Sequence, residues 1–364
     1  MITASAAPRS KDAPVAHIHA IGTAVPPHDV HEAFVRWAEP RLESTRDRAL
    51  FRRMAARSGI EHRWSVLAPP PGGRSPTDAG GFYASEPLPP TSRRMAVYGE
   101  AAPALALEAI AALERQVPLG GITHLVVASC SGFTAPGIDQ IIARRLGLDA
   151  GIERTLVGFM GCYAAVAALR VAHHIARSDS AARILVVTVE LSTLHLVATD
   201  AIEPLLAMLQ FADGAAAALV SAEPHGIALE RFFATTVADS ETLIRWSIGD
   251  SGFEMHLSGE VPGRIAAALQ TPAVTEAILD GRDPAETRWA VHAGGRSILD
   301  AVETALALPG SALNTSRSVL HRFGNMSSST LMFVLADMIG ARGDGVALAF
   351  GPGLAAEGFA FAAA

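Results

Sequence analysis

The chain has 364 residues, of which 50% are hydrophobic, and its mean hydropathy is +0.29. This supplies enough apolar surface for a large core, and the length predicts two halves of similar size. The chain has 29 basic and 36 acidic residues and no dense run of Lys or Arg, so we expect no nucleic-acid partner. No stretch approaches the roughly 20 uninterrupted apolar residues of a membrane span, and the first residues lack a hydrophobic signal core. We therefore expect no membrane span and a cytoplasmic protein.

In chain order, residues 1–16 are polar and rich in alanine, and we expect them to be flexible. A segment rich in Pro and Gly follows at residues 67–90, and loops of this length are often functional, so we expect it to cover a site. Beyond it, short β-branched runs alternate with longer Ala- and Leu-rich stretches. The runs predict strands at residues 124–129, 182–190, 215–221, 288–293 and 346–351. This alternation predicts an α/β fold with largely buried sheets.

Two motifs occur twice along the chain. A strand running into a glycine turn occurs at residues 124–132 and again at 288–295. A glycine turn leading into a helix occurs at residues 157–171 and again at 320–335. In both motifs the second copy follows the first at nearly the same spacing along the chain, which indicates duplicated halves.

A third pair of similar segments, residues 212–221 and 343–351, is more closely spaced than the other two pairs. It predicts that the second half has lost a segment. We place the two halves at residues 17–224 and 225–364. Equivalent strand ends of halves related by a pseudo-twofold axis meet, which predicts that one centre contains Cys130, Cys162, His292 and Asn325.

These residue types indicate acyl-transfer chemistry. Cys162 lies where a helix begins, and a helix N-terminus favours the thiolate form of a cysteine. An imidazole nearby would lower the pKa of the thiol further, and His292 ends a predicted strand before two glycines. Asn325 begins a helix, and its amide could donate to a developing negative charge. Each residue also has a structural alternative, since cysteine and histidine are often packed in cores and asparagine often caps helices. We expect no metal site.

At these residues the chain resembles the type III polyketide synthases, relatives of plant chalcone synthase in the thiolase-like superfamily. The motifs that carry the resemblance are "GFMGCYAA" around Cys162, "WAVHAGGRSILDAVE" around His292, "RFGNMSSSTLMFVL" around Asn325 and "AFGPGLAAEGF" near the C-terminus. The resemblance covers residues 17–361 in consistent order.

The resemblance implies an α/β, thiolase-like αβαβα layered fold in a homodimer, with a buried pocket reached by a coenzyme A tunnel. Cys162 would take a starter acyl group from an acyl-CoA. His292 and Asn325 would bind the thioester carbonyl of malonyl-CoA while it loses carbon dioxide. The resulting enolate would attack the bound acyl group, and the extended chain would cyclise to a pyrone or resorcinol. Coenzyme A thioesters are substrates in this scheme, and no further cofactor is implied.

Further positions match substrate-binding positions of the family. Arg53 and Arg57 match basic residues that contact coenzyme A phosphates. Phe211 matches an aromatic gatekeeper, whereas Met255 stands where plant members have a second gatekeeping Phe. Residues 246–263 resemble bacterial members that make alkylpyrones and alkylresorcinols from fatty acyl starters. The other matches line the pocket or shape the cyclisation chamber: Cys130, Gly351, Pro352 and Gly353.

Two other functions remain open. A ketoacyl-acyl carrier protein synthase of the third type uses the same Cys, His and Asn set, but its His stands in a pattern like "HQAN", whereas this chain has "HAGGRSILD" and the GPG loop. A noncatalytic acyl-CoA-binding scaffold is less compatible with an intact set of Cys162, His292 and Asn325. The starter length and the number of extensions are not determined by these residues.

Overall fold

The structure is a computed structural model, and it describes residues 14–363. Thirteen strands are present in this range: β1 (Ala16–Ala24), β2 (His28–Asp29), β3 (Trp64–Ser65), β4 (His124–Ser129), β5 (Glu153–Gly158), β6 (Arg183–Leu191), β7 (Asp213–Ser221), β8 (Ile227–Thr236), β9 (Ile244–Gly249), β10 (Gly252–Leu257), β11 (Arg288–Val291), β12 (Gly343–Gly351) and β13 (Ala355–Ala363). Eleven α-helices accompany them in the same range: α1 (His31–Ala38), α2 (Thr45–Ala56), α3 (Thr91–Glu114), α4 (Ile138–Arg145), α5 (Ala164–Ser178), α6 (Ile202–Met208), α7 (Val261–Leu269), α8 (Pro272–Leu279), α9 (Arg296–Ala305), α10 (Asn314–Phe323) and α11 (Ser328–Ala336).

All five strands predicted from β-branched runs are present as β4, β6, β7, β11 and β12. Residues 1–13 of the segment expected to be flexible lie outside the described residues. The remainder of that segment reaches into β1, which begins at the fully buried Ala16.

One large sheet runs through the molecule in the order β11-β12-β13-β8-β1-β7-β6-β4-β5. It consists of two similar halves, because β4 is parallel to β6 and β11 is parallel to β12, while the following pairs are antiparallel. The halves are joined where β1 pairs with β8 over residues 16–18. The sheet therefore has the duplicated organisation that the repeated motifs predict.

The sequence analysis paired residues 212–221 with residues 343–351 as equivalent segments of the two halves, and this pairing is wrong. The sheet places β12 where β6 lies in the other half, and β13 where β7 lies. With this assignment β12 follows β6 at nearly the same spacing along the chain as β11 follows β4, in agreement with the other motifs. The second half is shorter because residues 352–354 replace the longer connection 192–212. Both β7 and β12 have an Asp-Gly pair followed by small and apolar buried residues, so composition alone could not distinguish them.

Three apolar clusters show how the layers pack. The central cluster holds α5 and α11 between the two half-sheets, and it includes Ala168, Val186, Leu331 and Ala347. Helix α11 begins with three buried hydroxyl residues and continues with apolar ones, and it is buried from Ser328 to Leu335, which is typical of a helix inside a core. A second cluster packs α3 on the outer face of the first half-sheet, and a third packs α7 to α10 on the second. The result is the αβαβα layering.

Helix α3 alone, within residues 14–363, is long and apolar enough to cross a membrane by length and composition. It packs instead against β1, β6 and β7, with Tyr98, Leu105 and Leu113 buried. This is the packing of a core helix.

Candidate active site

Cys162 lies in a short turn between β5 and α5, as the sequence predicts for a helix start. Gly161 allows this turn because its φ is +76°, and a Cβ added there would lie 2.4 Å from Pro352 Cδ. Gly351 also approaches closely, since its added Cβ would lie 3.4 Å from the Cys162 backbone nitrogen. The GPG segment at residues 351–353 thus packs directly on the turn that carries the thiol.

Asn325 is fixed by backbone pairing with the segment around Phe211. Its N–H donates to Gln210 O at 2.8 Å, and its carbonyl accepts from Ala212 N at 2.9 Å. Its side-chain Nδ2 donates to Gly294 O at 3.0 Å, while Oδ1 accepts from Ser327 N at 2.9 Å. The carboxamide therefore bridges the turn after β11 and the start of α11.

His292 continues β11 by one residue, because its backbone N–H donates to Leu348 O at 2.8 Å. The ring lies over Gly294, where an added Cβ would come within 3.4 Å of Nε2. The side chain is buried, and neither ring nitrogen has a hydrogen-bond partner within residues 14–363. Neither nitrogen is therefore committed to a hydrogen bond within the described part of the chain.

Side-chain contacts link the three segments that carry Cys162, Asn325 and His292. The Cys162 Sγ lies 3.8 Å from Ser327 Oγ, and the Ser327 backbone is bonded to the Asn325 carboxamide. The same carboxamide is bonded to Gly294, two residues after His292. The thiol of Cys162 is thus linked through Ser327 to the carboxamide of Asn325, and that carboxamide also bonds the turn that follows His292.

Burial controls the protonation of this set. It raises the pKa of the Cys162 thiol to about 12, and the nearby Glu190 charge adds to this effect, whereas hydrogen bonds with Ser327 and Asn325 lower it. Burial also lowers the pKa of His292 to about 3. The resting pair is a neutral thiol and a neutral imidazole, so the expectation that the helix start and an imidazolium lower the thiol pKa is not met in the free protein. The helix start is outweighed because the sulfur is almost fully desolvated.

Glu190 is a site residue that the sequence analysis missed. Its buried carboxylate accepts from Cys130 N at 3.0 Å and from Ser131 Oγ at 2.7 Å, and Ser328 Oγ bonds its other oxygen. Burial raises its pKa to about 6. The carboxylate ties the end of β4 to the start of α11. An acidic residue inside the apolar run of β6 was the signal that could have revealed it.

A small cavity adjoins the thiol, and we call it the reaction cavity. Its volume is about 20 Å³, enough for roughly one water molecule. Of the positions matched to the family, Cys130, Pro352 and Met255 line it. Its wall is completed by residues that the sequence analysis did not select as site residues, among them Ser192, Trp246 and Ser327, although Trp246 and Ser327 lie within segments that carry the resemblance.

A much larger cavity of about 420 Å³ lies beside it, and we call it the outer cavity. Phe211 and Met255, the two matched gate positions, line this cavity. Part of its wall comes from the Pro- and Gly-rich segment 67–90, through Leu67, residues 75–77 and Tyr83. The segment thus lines a cavity, and its covering of a functional site stays a prediction.

Arg53 and Arg57 lie apart from both cavities. Arg53 is in the last turn of α2 and Arg57 caps that helix, and both side chains are exposed. The Arg57 carbonyl accepts from Arg296 Nη1 at 3.3 Å, which joins the end of α2 to the helix that follows His292. The two arginines are therefore near the segment that carries His292 without lining the cavities.

Comparison with known protein families identifies the family of this chain. The model of the chalcone and stilbene synthase N-terminal domain matches residues 4–224, and that of the C-terminal domain matches residues 229–363. The chain belongs to the chalcone and stilbene synthase family. The first domain match ends at residue 224 and the second begins at residue 229. The sequence analysis placed the two halves at residues 17–224 and 225–364.

Two proteins illustrate the range of relatives in this synthase family. The chain is 36% identical over 252 residues to "Alpha-pyrone synthesis polyketide synthase-like Pks18" of Mycobacterium tuberculosis, an alignment that spans 65% of this chain and 64% of that protein. It is 32% identical over 376 residues to bisdemethoxycurcumin synthase of Oryza sativa subsp. japonica, spanning 94% of this chain and 91% of that protein.

Solved structures of type III polyketide synthases share the synthase fold. PKS-I from the brown alga Ectocarpus siliculosus superimposes with a TM-score of 0.86 at 26% identity, covering 98% of this chain and 100% of that one. The type III polyketide synthase domain of Steely1 from Dictyostelium has a TM-score of 0.85 at 24% identity, covering 96% and 99%. The thiolase-like layered fold that the resemblance implied is confirmed.

Proposed function

We propose that this protein is a type III polyketide synthase that condenses malonyl-CoA with an acyl group held on Cys162. The observation that carries the proposal is the contact chain from Cys162 through Ser327 and Asn325 to the turn after His292. The proposal is supported because a decarboxylative condensation needs a nucleophile, a carboxamide donor and an imidazole near one another, and these contacts link the segments that carry all three. No metal or further cofactor takes part in the proposed reaction.

Loading of the starter begins with proton transfer from the Cys162 thiol to the neutral His292 imidazole. The thiolate attacks the carbonyl carbon of the acyl-CoA, and the coenzyme A thiolate leaves and takes the proton back from His292. Because burial disfavours both charged forms, the ion pair exists only during the transfer. The product is a thioester at Cys162 and free coenzyme A.

Extension uses the same residues as hydrogen-bond donors. A neutral imidazole has one N–H, and Asn325 Nδ2 has a second N–H besides the one bonded to Gly294. Both donate to the thioester oxygen of malonyl-CoA, where negative charge develops as carbon dioxide leaves. The enolate carbon then attacks the Cys162 thioester carbonyl and expels the thiolate, which gives a β-ketoacyl-CoA. Repetition and ring closure lead to a pyrone or a resorcinol.

The test supplies malonyl-CoA with short, aromatic and long-chain acyl-CoA starters and identifies products by mass spectrometry. We expect cyclised polyketides from the wild type, and none from Cys162→Ala, which should retain some decarboxylation of malonyl-CoA through His292 and Asn325. Product formed only from malonyl-acyl carrier protein would favour the ketoacyl synthase alternative. An unchanged yield from Cys162→Ala would overturn the assigned nucleophile.

We also propose that the protein works as a homodimer. Strand β5 is an edge strand that pairs only with β4, and Glu153, Arg154, Thr155 and Leu156 are all exposed. An exposed edge of this kind can pair with a second copy. Beside it Phe133 and Phe159 are exposed, with their ring centroids 5.6 Å apart. Phe159 also lines the reaction cavity, so a second copy on this face would complete its cover.

A further inference from the structure

Residues 210–214 are paired with the backbone of Asn325, and we call them the support segment. The Asn325 N–H donates to Gln210 O at 2.8 Å, and the Asn325 carbonyl accepts from Ala212 N at 2.9 Å. Both backbone groups of Asn325 are thus bonded to this segment. A displacement of the support segment would therefore displace Asn325 as well.

The contact continues from Asn325 into helix α11. Ser329 Oγ donates to Gly214 O at 3.1 Å. A Cβ added at Gly214 would lie 2.4 Å from Met326 Sδ, so the support segment approaches these residues more closely than a larger residue would allow. The start of α11 therefore lies directly against the support segment.

Asp213 is the charged residue of the support segment, and it ties this segment to two other parts of the chain. Its fully buried carboxylate accepts hydrogen bonds from Val66 N at 2.9 Å, from Thr193 N at 2.8 Å and from Thr193 Oγ1 at 2.7 Å. Val66 follows β3, and Thr193 lies in the turn after β6. One side chain thus fixes the segment on which the backbone of Asn325 depends.

These three bonds need an ionised carboxylate at Asp213. All three partners act as donors, and a protonated carboxyl group would place a hydrogen of its own against one of them. Burial raises the pKa of Asp213 to about 7, although its hydrogen bonds and the charge of Arg63 act against this. The carboxylate therefore gains a proton as the pH falls through about 7, and one of the three bonds is then lost.

The other ionisable groups around Asp213 keep their charge state near pH 7. Burial lowers the pKa of Arg63 to about 10, so this side chain stays positive, and it donates to Phe211 O at 2.7 Å. His31 accepts from Arg63 Nε at 3.1 Å, and burial lowers its pKa to about 4. Burial raises the pKa of Tyr83, which stays neutral. Asp213 is thus the group of this set that changes charge near neutral pH.

We propose that Asp213 is a positioning residue for Asn325, and that it keeps the Asn325 carboxamide where it donates to the thioester oxygen of malonyl-CoA. Asp213 is not among the residues that line the two cavities, so it acts through the support segment and not on the substrate. This inference rests on the proposed function, because it assumes that Asn325 takes part in the decarboxylation of malonyl-CoA.

The first experiment compares two half-reactions in Asp213→Asn, which keeps the side-chain shape and removes the charge. Loading of starter on Cys162, followed by intact-protein mass, should stay close to the wild-type rate. Decarboxylation of malonyl-CoA, measured in the Cys162→Ala background, should fall about tenfold or more, because a small displacement of a donor is costly. Equal losses in both half-reactions would indicate a general structural role, and an unchanged decarboxylation rate would exclude any role; either result would overturn the proposal.

Two further variants serve as control and as second test. Asp179→Asn is the matched control, since this carboxylate accepts from Ala181 N at 2.9 Å in an exposed loop, and neither half-reaction should change. Thr193→Val removes one of the three donors to Asp213 and should lower decarboxylation by a smaller factor than Asp213→Asn. If Asp213→Asn does not fold, a folded Thr193→Val protein that decarboxylates like the wild type would overturn the proposal.

The pH profile provides a readout that a purely structural role would not change. With ionised Asp213 required, decarboxylation should fall about tenfold from pH 8 to pH 6, and Asp213→Asn should lose this dependence. His292 stays neutral over this range, since its pKa is about 3. Glu190, with a pKa of about 6, also titrates near it, so Glu190→Gln should keep the fall. A flat wild-type profile, or a fall that disappears in Glu190→Gln, would contradict the role of Asp213.

Hydrogen exchange separates the inference from the function on which it rests. In Asp213→Asn at pH 8, peptides that contain the Ala212 and Asn325 amides should exchange about tenfold faster than in the wild type, and peptides from β13 should not. If the wild type neither decarboxylates nor condenses malonyl-CoA, the proposed function fails, and exchange still reports whether Asp213 holds the pairing of Asn325. If the wild type does both and Asp213→Asn changes neither exchange nor decarboxylation, the inference alone fails.

Discussion

At Cys162 two sets of interactions act on the thiol in opposite directions. Burial and the Glu190 carboxylate oppose the thiolate, while hydrogen bonds with Ser327 and Asn325 favour it. The hydroxyl of Ser327 is a rotating donor and acceptor, so it can turn its proton toward a charged sulfur. The reactivity of the sulfur therefore depends on neighbours that do not themselves react.

Replacing Ser327 by alanine should raise the pKa of the Cys162 thiol. A hydrogen bond to a charged group contributes about 1.5–3 kcal/mol, which corresponds to roughly one to two pH units. The rate of alkylation by iodoacetamide at pH 8 should fall about tenfold or more, and its pH profile should move to higher pH. The exposed Ser251→Ala change is the control, and a profile that stays in place would contradict the role of Ser327.

Replacing Glu190 by glutamine should lower the pKa of the Cys162 thiol. Removing the negative charge lowers the pKa of the thiol, so alkylation at pH 8 should be faster than in the wild type. Because burial raises the pKa of Glu190 to about 6, the wild type also loses this charge in acid, and the two rates should converge below about pH 6. Matching circular dichroism spectra are needed to show that the variant is folded. A rate difference that persists at pH 5 would argue against a charge effect.

Site residues could be predicted from the sequence only where they stand in a motif that contains a reactive side chain. Cys162, His292 and Asn325 stand in local patterns of a strand end, a glycine turn and a helix start, so they could be selected together. Ser192 and Trp246 stand in no such pattern, and they were found only because both line the reaction cavity. Such a position depends on how distant segments pack, which no local pattern encodes.

At the scale of elements, a small residue in a strand allows a helix of the outer layer to pack closely on the sheet. Helix α3 lies directly on β1 at Gly22, where an added Cβ would come within 2.1 Å of Leu113 N and 2.3 Å of Ala109 O. Strand positions could be predicted from β-branched runs, and the central position of α11 agrees with its apolar sequence. Which strand neighbours which could not be predicted at β12, because its composition is equally compatible with two places in the sheet.

Gly22→Ala should therefore be strongly destabilising. The atoms that an added methyl group meets belong to the backbone of α3, and they cannot move aside as a side chain would. We expect a loss of about 3 kcal/mol in the free energy of unfolding, at the upper end of ordinary overpacking. Urea unfolding followed by circular dichroism measures it. The matched control is Gly263→Ala in α7, where no atom lies within 4 Å and a gain of about 0.5–1 kcal/mol is expected.

At the scale of the whole molecule, the exposed edge of β5, where we propose that a second copy binds, lies beside the reaction cavity. Phe159 is exposed beside this edge and also lines the reaction cavity, and Phe133 packs against it. A second copy on this face would bury apolar surface and cover a cavity wall in the same step. Isologous contacts of this kind are the commonest way in which identical chains assemble.

Leu156→Lys should weaken the proposed dimer. It places a charge on the exposed edge, where a second copy would bury it, so light scattering after size-exclusion chromatography should show more monomer than in the wild type. Polyketide formation should fall along with the dimer fraction and recover at high protein concentration. Val15→Lys changes an apolar side chain of similar exposure just before β1 and should do neither. A wild type that is monomeric at every concentration would exclude the homodimer.

The narrow space around the Cys162 sulfur also affects how long a thioester at this residue would survive. A thioester can be lost to hydrolysis only if water reaches its carbonyl with room to attack. A site with space for about one solvent molecule becomes nearly dry once the acyl group itself is seated. In the proposed synthase, a thioester on Cys162 would therefore be shielded from water until malonyl-CoA arrives.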